Sequence, residues 1–204
     1  PAPHQAELPL WITAAGNPQT FQYAGQIGAG ILTHFLGQSI EQLEENIALY
    51  HATLKEHGHD PAKAKVTLML HTFLGEQEDE ALATVKAPFK AYLESSIQLL
   101  KPLAEEQNID LEGDREAVLE FGYNRFKHTN ALFGTPESCQ ELLHSLQQIG
   151  VTEIASLIDF GIDNNDVLEG LTYLKTAKEQ HEKTVTLRNA FSPEEYQTEI
   201  ELIK

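Results

Sequence analysis

This sequence predicts an α/β fold of the (β/α)8 TIM-barrel type, with the chain supplying about the second half: four parallel strands with covering helices. Three observations predict it. Short, nearly continuous apolar runs alternate with amphipathic helical stretches, the pattern of a parallel sheet covered on both faces. Glycine or a Gly-Asn-Pro turn closes the first three runs, as expected where strands give way to helices. No Gly-x-Gly-x-x-Gly and no Walker loop follows any run, which leaves a dinucleotide-binding doubly wound sheet without its fingerprint. A closed barrel needs eight strands and typically ~250 residues, and only four strand runs are legible here.

The elements follow in order. Residues 1–9 read as a linker or lead, proline-rich and entering an edge strand. Leu10–Ala15 is short, partly β-branched and stopped by Gly16-Asn17-Pro18, so it reads as the first strand. Thr20–Ile27 reads as a helix with Phe21, Ala24 and Ile27 on one side, stopped by Gly28 and Gly30. Ile31–Leu36 is the second strand. Ser39 with Gln42 forms a capping box, and Ile40, Leu43, Ile47, Tyr50 and Leu54 behind it trace one apolar stripe. Val66–Leu74 is the third strand. Residues 76–129 carry helical pattern in two pieces, broken near Asn108–Asp114. Thr135-Pro136-Glu137 reads as a helix start with Thr as N-cap and Pro at the first helical position. Leu142, Leu143, Leu146 and Ile149 form that helix's apolar face, and Gly150 ends it. Ile154–Ile158 is the fourth strand, and Asp163–Lys178 a last helix. The half-barrel is thus expected over 10–178, with 179–204 a peripheral helix or linker.

Composition narrows the function. Fourteen Lys and Arg against 31 Asp and Glu give a net charge of −17. A field this acidic repels phosphate backbones and anionic membrane surfaces, so neither nucleic acid nor membrane is an expected partner. The apolar runs fall short of the about 18–20 residues a membrane span needs. A single cysteine, Cys139, makes no internal disulfide. With no charged-then-apolar leader in view, a cytoplasmic location is expected.

In α/β folds the working residues lie at the carboxyl ends of the strands. Ala15-Gly16-Asn17-Pro18-Gln19-Thr20 is a small-residue turn opening a helix. Its free backbone N–H groups and helix dipole favour an anion, and Asn17 and Thr20 add side-chain donors. This suits a phosphate monoester. An ordinary capped helix start, with Asn17 as N-cap, explains the same residues. His34 and His71 occupy matching places on neighbouring strands, suited to substrate hydrogen bonding or proton transfer near neutral pH. Packed histidines at a barrel mouth are the alternative. The nine histidines are scattered with no metal-ligand spacing, so no metal site is expected. Cys139 has no base implied beside it and reads as a small buried residue. Asp159-Phe160-Gly161 matches the kinase metal-binding triplet in letters only. Met69, Phe73, Phe89, Phe121 and Phe126 read as core, and the acids of 76–80 and 112–120 as solvated helix faces.

Several of these segments together resemble the luciferase-like flavin monooxygenases. They are Leu10–Pro18 with Thr20, Ala24–Gly28, Leu32–Ser39, Val66–Phe73, Phe133–Ser138 and Gly150–Ile154. The nearest likeness is to the subgroup found in polyketide and non-ribosomal peptide biosynthesis, over about residues 8–178. The resemblance implies a (β/α)8 barrel in which reduced FMN and O2 oxygenate an organic substrate, the flavin being reduced on a separate reductase. It implies that Ala15, Gly16, Asn17 and Thr20 hold the flavin phosphate, and makes His34 and His71 pocket-lining candidates. Only strands five to eight of the family barrel are resembled. The half that carries the main catalytic histidine is not, so no catalytic residue is named. The expected substrate is a small or carrier-bound molecule, and the expected protein partner is a second copy or a complementing N-terminal half. A flavin-binding protein without chemistry, or a self-associating half-barrel, is the alternative reading.

Overall fold

A computed structural model describes residues 8–95 and 115–190, together with His4 and Ile97. Five parallel strands form the sheet: β1 (Trp11–Ala14), β2 (Gly30–His34), β3 (Val66–Leu74), β4 (Leu132–Gly134) and β5 (Glu153–Leu157). β2 lies between β1 and β3. β3 pairs with β5 over Thr67–His71 and with β4 over Thr72–Leu74. The helices are α1 (Pro18–Ile27), α2 (Ile40–Glu56), α3 (Glu78–Ser95), α4 (Arg115–Arg125), α5 (Gln140–Gln148) and α6 (Asn164–Ala190). The parallel α/β half-barrel expected from the sequence is what forms.

The sheet's two faces differ. On β2 and β3, Ile31, Thr33, Val66, Leu68 and Leu70 are buried, while Leu32, His34, Thr67 and Met69 are only half-buried. Alternate residues on a strand point to opposite faces, so one face packs under helices and the other lines the interior side of the half-barrel. The near-continuous apolar strands predicted two covered faces. Instead the interior side stays half-open, because no strand among the described residues closes over it. The covered face joins Phe21 and Ala24 of α1 to Leu43, Ile47 and Tyr50 of α2. Burying a leucine such as Leu43 contributes roughly 1.5–3 kcal/mol. Tyr50 buries its ring and donates its hydroxyl to the Ala29 carbonyl at 2.8 Å.

A second core caps the carboxyl end of the strands. α3 and α4 pack Val85, Phe89, Leu93 and Val118 against Phe126, Phe133 and Phe160. Lys86 and Lys90 on α3 pair with Glu116 and Glu120 on α4. Glu116 and Glu120 belong to the acids expected on solvated helix faces; they are solvent-accessible there and ion-paired between the two helices.

Four details depart from the sequence reading. β4 was not expected as a strand: three residues carry no period, and its pairing with Thr72–Leu74 supplies the strand character. Ile27 is 46% exposed rather than packed. α1 meets α2 through Phe21, Ala24 and Gly25, where a Cβ on Gly25 would lie 2.8 Å from Thr53 Cβ, and that contact turns Ile27 outward. Thr135 caps a turn and not a helix: it exchanges hydrogen bonds with Ser138, and α5 begins only at Gln140. The last helix runs past Lys178 to Ala190. The expected break near Asn108–Asp114 and residues 191–204 lie outside the described residues.

Several large apolar side chains are exposed. Leu8 and Leu10 are exposed ahead of β1, Trp11 on β1, Tyr23 and Ile27 on α1, and Leu168 and Leu171 on α6. Trp11 lies across Gly30, where a Cβ would stand 3.0 Å from the indole, and its Nε1 donates to Thr67 Oγ1 at 3.0 Å. Thr67 in turn donates to Glu153, which pairs with Lys65. No helix among the described residues is long and apolar enough to cross a membrane.

Candidate functional site

The turn after β1 is built by its own sequence. Gly16 adopts a φ of +91°, in the region that side-chain-bearing residues avoid. Asn17 is extended, and its Oδ1 accepts from the Gln19 N–H at 2.9 Å; Pro18 takes the first helical position. Thr20 follows, half-buried, its N–H bonded to the Asn17 carbonyl at 3.0 Å. Ala15 and Asn17 are exposed. The first turn of α1 contains no acidic residue, so nothing there opposes an arriving anion. Ala15, Gly16, Asn17 and Thr20 thus form one accessible helix-opening turn. Asn17 also performs the capping role that an ordinary helix start requires.

Two buried amides that the sequence reading did not single out hold this turn from behind. Asn46 of α2 donates Nδ2 to the Gly16 carbonyl at 3.2 Å. Gln38, only 2% exposed, packs so closely that a Cβ on Gly16 would stand 3.2 Å from its own Cβ. Its Nε2 donates to Thr33 Oγ1 at 2.8 Å and to the His34 carbonyl at 2.7 Å, while its Oε1 is buried without a partner. Nothing in the local sequence pattern marks either amide.

His34 ends β2. Its Nδ1 accepts from the Leu36 N–H at 3.1 Å, which leaves the hydrogen of the neutral ring on Nε2. Burial holds its pKa below the ordinary value. The register pairs His34 with Met69, so His71, two residues further on, lies on the same face but deeper under the cap. His71 is 2% exposed, and Phe89, Tyr92, Phe126 and Phe160 meet its ring edge-on, with centroids 4.6–5.9 Å away. Its Nε2 has no hydrogen-bond partner. Burial, then the neighbouring His34, pushes its pKa down to about 4, with Asp159 opposing. The two histidines do share a face, as their strand positions suggested, but His71 is packed into an aromatic cage. That cage draws on three segments far apart in sequence, α3 with Phe89 and Tyr92 and the stretches around Phe126 and Phe160, which no local pattern reveals.

Cys139 lies at the start of α5, buried, its thiol pushed up to about 12 by burial. It is a packed residue and no nucleophile. Among the described residues no group of three or more His, Cys, Asp or Glu could hold a metal ion.

Solved structures share this architecture. Monooxygenase RslO1 from Streptomyces bottropensis superposes with a TM-score of 0.60 at 16% identity, covering 89% of this chain and 50% of that one. The oxygenating constituent of 3,6-diketocamphane monooxygenase from Pseudomonas putida, a complex with FMN, gives 0.58 at 18%, covering 83% and 46%. The coenzyme F420-dependent tetrahydromethanopterin reductase from Methanopyrus kandleri gives 0.58 at 17%, covering 80% and 49%. The chain spans about half the length of these relatives. None of the curated proteins compared with it matches. The family model for luciferase-like monooxygenases matches residues 1–153, three quarters of the sequence and every described strand but most of β5. The chain therefore belongs to the luciferase-like monooxygenase family.

Proposed function

We propose that this chain supplies the phosphate-binding half of an FMN-dependent monooxygenase that oxygenates an organic substrate with O2 in secondary-metabolite biosynthesis. One observation carries the reading: the accessible, acid-free turn at the carboxyl end of β1, braced by Asn46 and Gln38. A phosphate monoester fits these residues. Backbone N–H groups at Gly16 and Asn17, the α1 dipole and the Thr20 hydroxyl are the donors that a dianion requires. Reduced FMN, when bound, supplies the electrons for transferring one oxygen atom to the substrate. The chain's own contribution is to anchor the phosphate and to present His34 Nε2–H on the interior side as a fixed donor. His71, kept neutral, helps the α3–α4 cap exclude water from that side.

The flavin reaches the site reduced by a separate reductase, and the substrate is a small or carrier-bound molecule. The exposed apolar side chains and half-open interior support completion of the barrel by a complementary half. A second copy would bring together two chains of −17 each, which weighs against self-pairing. The single cysteine suits the cytoplasm.

FMN-dependent and F420-dependent relatives share this fold, so the cofactor class is tested by titrating the chain with each. Saturable quenching of FMN fluorescence with no F420 response supports the reading. The reverse result assigns the turn to the deazaflavin.

A further inference from the structure

We infer that Gln38 is a positioning residue that couples the Gly16–Asn17 turn to His34, so that an anion seated in the turn is registered at the histidine ring. This rests on the proposed reading of the turn. The geometry places one side chain between both parts. Its stem lies against Gly16, where any Cβ would meet it at 3.2 Å. Its Nε2 holds the Thr33 hydroxyl and the His34 carbonyl at 2.8 and 2.7 Å. His34, from that backbone position, takes the Leu36 N–H on Nδ1, which sets its tautomer. The turn, the amide, the end of β2 and the imidazole are therefore one connected chain of contacts.

Gln38 Oε1 strengthens the argument. It is buried with no donor and lies 3.5 Å from the place a Gly16 Cβ would occupy. A buried acceptor left unfilled is costly, so the amide gains most from any adjustment of the turn that brings a donor within reach. Loading the turn is the event that shifts Gly16, and Gln38 carries that shift to His34.

The test is NMR of the full 204-residue chain, reading the Gly16 amide and the His34 ring nitrogens while adding inorganic phosphate and then FMN. In the wild type both signals are expected to move together. In Gln38→Met, which keeps the volume and removes the amide, Gly16 still responds and His34 loses most of its response. Gln22→Met, on the exposed side of α1, leaves both unchanged. An undiminished His34 response in Gln38→Met overturns the coupling while leaving the phosphate reading intact. If Gly16 does not respond to either ligand, the phosphate reading fails. The coupling is then judged on the ligand-free chain, where Gln38→Met must displace both the Gly16 and His34 signals or be rejected. Should Gln38→Met not fold, Thr33→Val removes one of the amide's two acceptors and must weaken the same response.

Discussion

Asn46 Nδ2 donates to the Gly16 carbonyl at 3.2 Å, binding the turn after β1 to the helix that follows β2. The turn is thus shaped from outside as well as by its own residues. Gly16 has a φ of +91° with Gln38 directly behind it. Gly16→Ala forces a side chain into that conformation and against Gln38, at a cost of about 1–3 kcal/mol. A lowered Tm with weakened FMN binding is expected. An unchanged Tm would mean that the turn relaxes freely and is not preorganised.

Thr20 offers a cleaner probe, because the α1 backbone holds it in place without its hydroxyl. Thr20→Val is expected to weaken FMN binding by roughly 1.5–3 kcal/mol, the value of one hydrogen bond to a charged group. Riboflavin, which lacks the phosphate, is expected to bind the variant and the wild type alike. Unchanged FMN affinity would remove Thr20 from the site.

His71 makes stability depend on pH. Its pKa falls to about 4 in the folded chain, against an ordinary value of 6.5. Between those values the unfolded chain binds the proton and the folded chain does not, so stability is complete above 6.5 and falls as the pH drops towards 4. The loss is on the order of 3 kcal/mol. Thermal melts of the wild type and His71→Leu across this range should differ in slope, the variant being flatter. Parallel slopes would show that His71 titrates normally.

The single tryptophan reports on the opposite end of the strands. Trp11 packs across Gly30, where a Cβ would stand only 3.0 Å from the indole. Gly30→Ala should displace the indole, break its hydrogen bond to Thr67 and red-shift the Trp11 emission. An unaltered spectrum would contradict the packing of Trp11 across Gly30.

How much of this the sequence disclosed depends on the range of the forces involved. The turn was legible because Gly16, Asn17 and Pro18 act locally, through a positive φ, a side-chain cap and a fixed φ. The Ser39–Gln42 capping box was legible for the same reason, and both of its hydrogen bonds form. β4 was not, because three residues become a strand only through β3. Ile27 was placed on the wrong side because the α1–α2 contact at Gly25 sets the helix's rotation. Nothing in the local sequence pattern singles out Gln38 or Asn46. Their roles arise only when β2 and α2 bring them behind Gly16. The His71 cage likewise needs Phe89 and Tyr92 of α3 to converge with Phe126 and Phe160 from elsewhere in the chain.

The central claim is that this chain seats the phosphate of FMN in the turn after β1. Parallel titrations of the purified chain with FMN and riboflavin, followed by flavin fluorescence, test it most directly. The account predicts saturable FMN binding and riboflavin binding at least tenfold weaker, about 1.4 kcal/mol for the phosphate alone. Equal affinities, or no binding of either flavin, would contradict it.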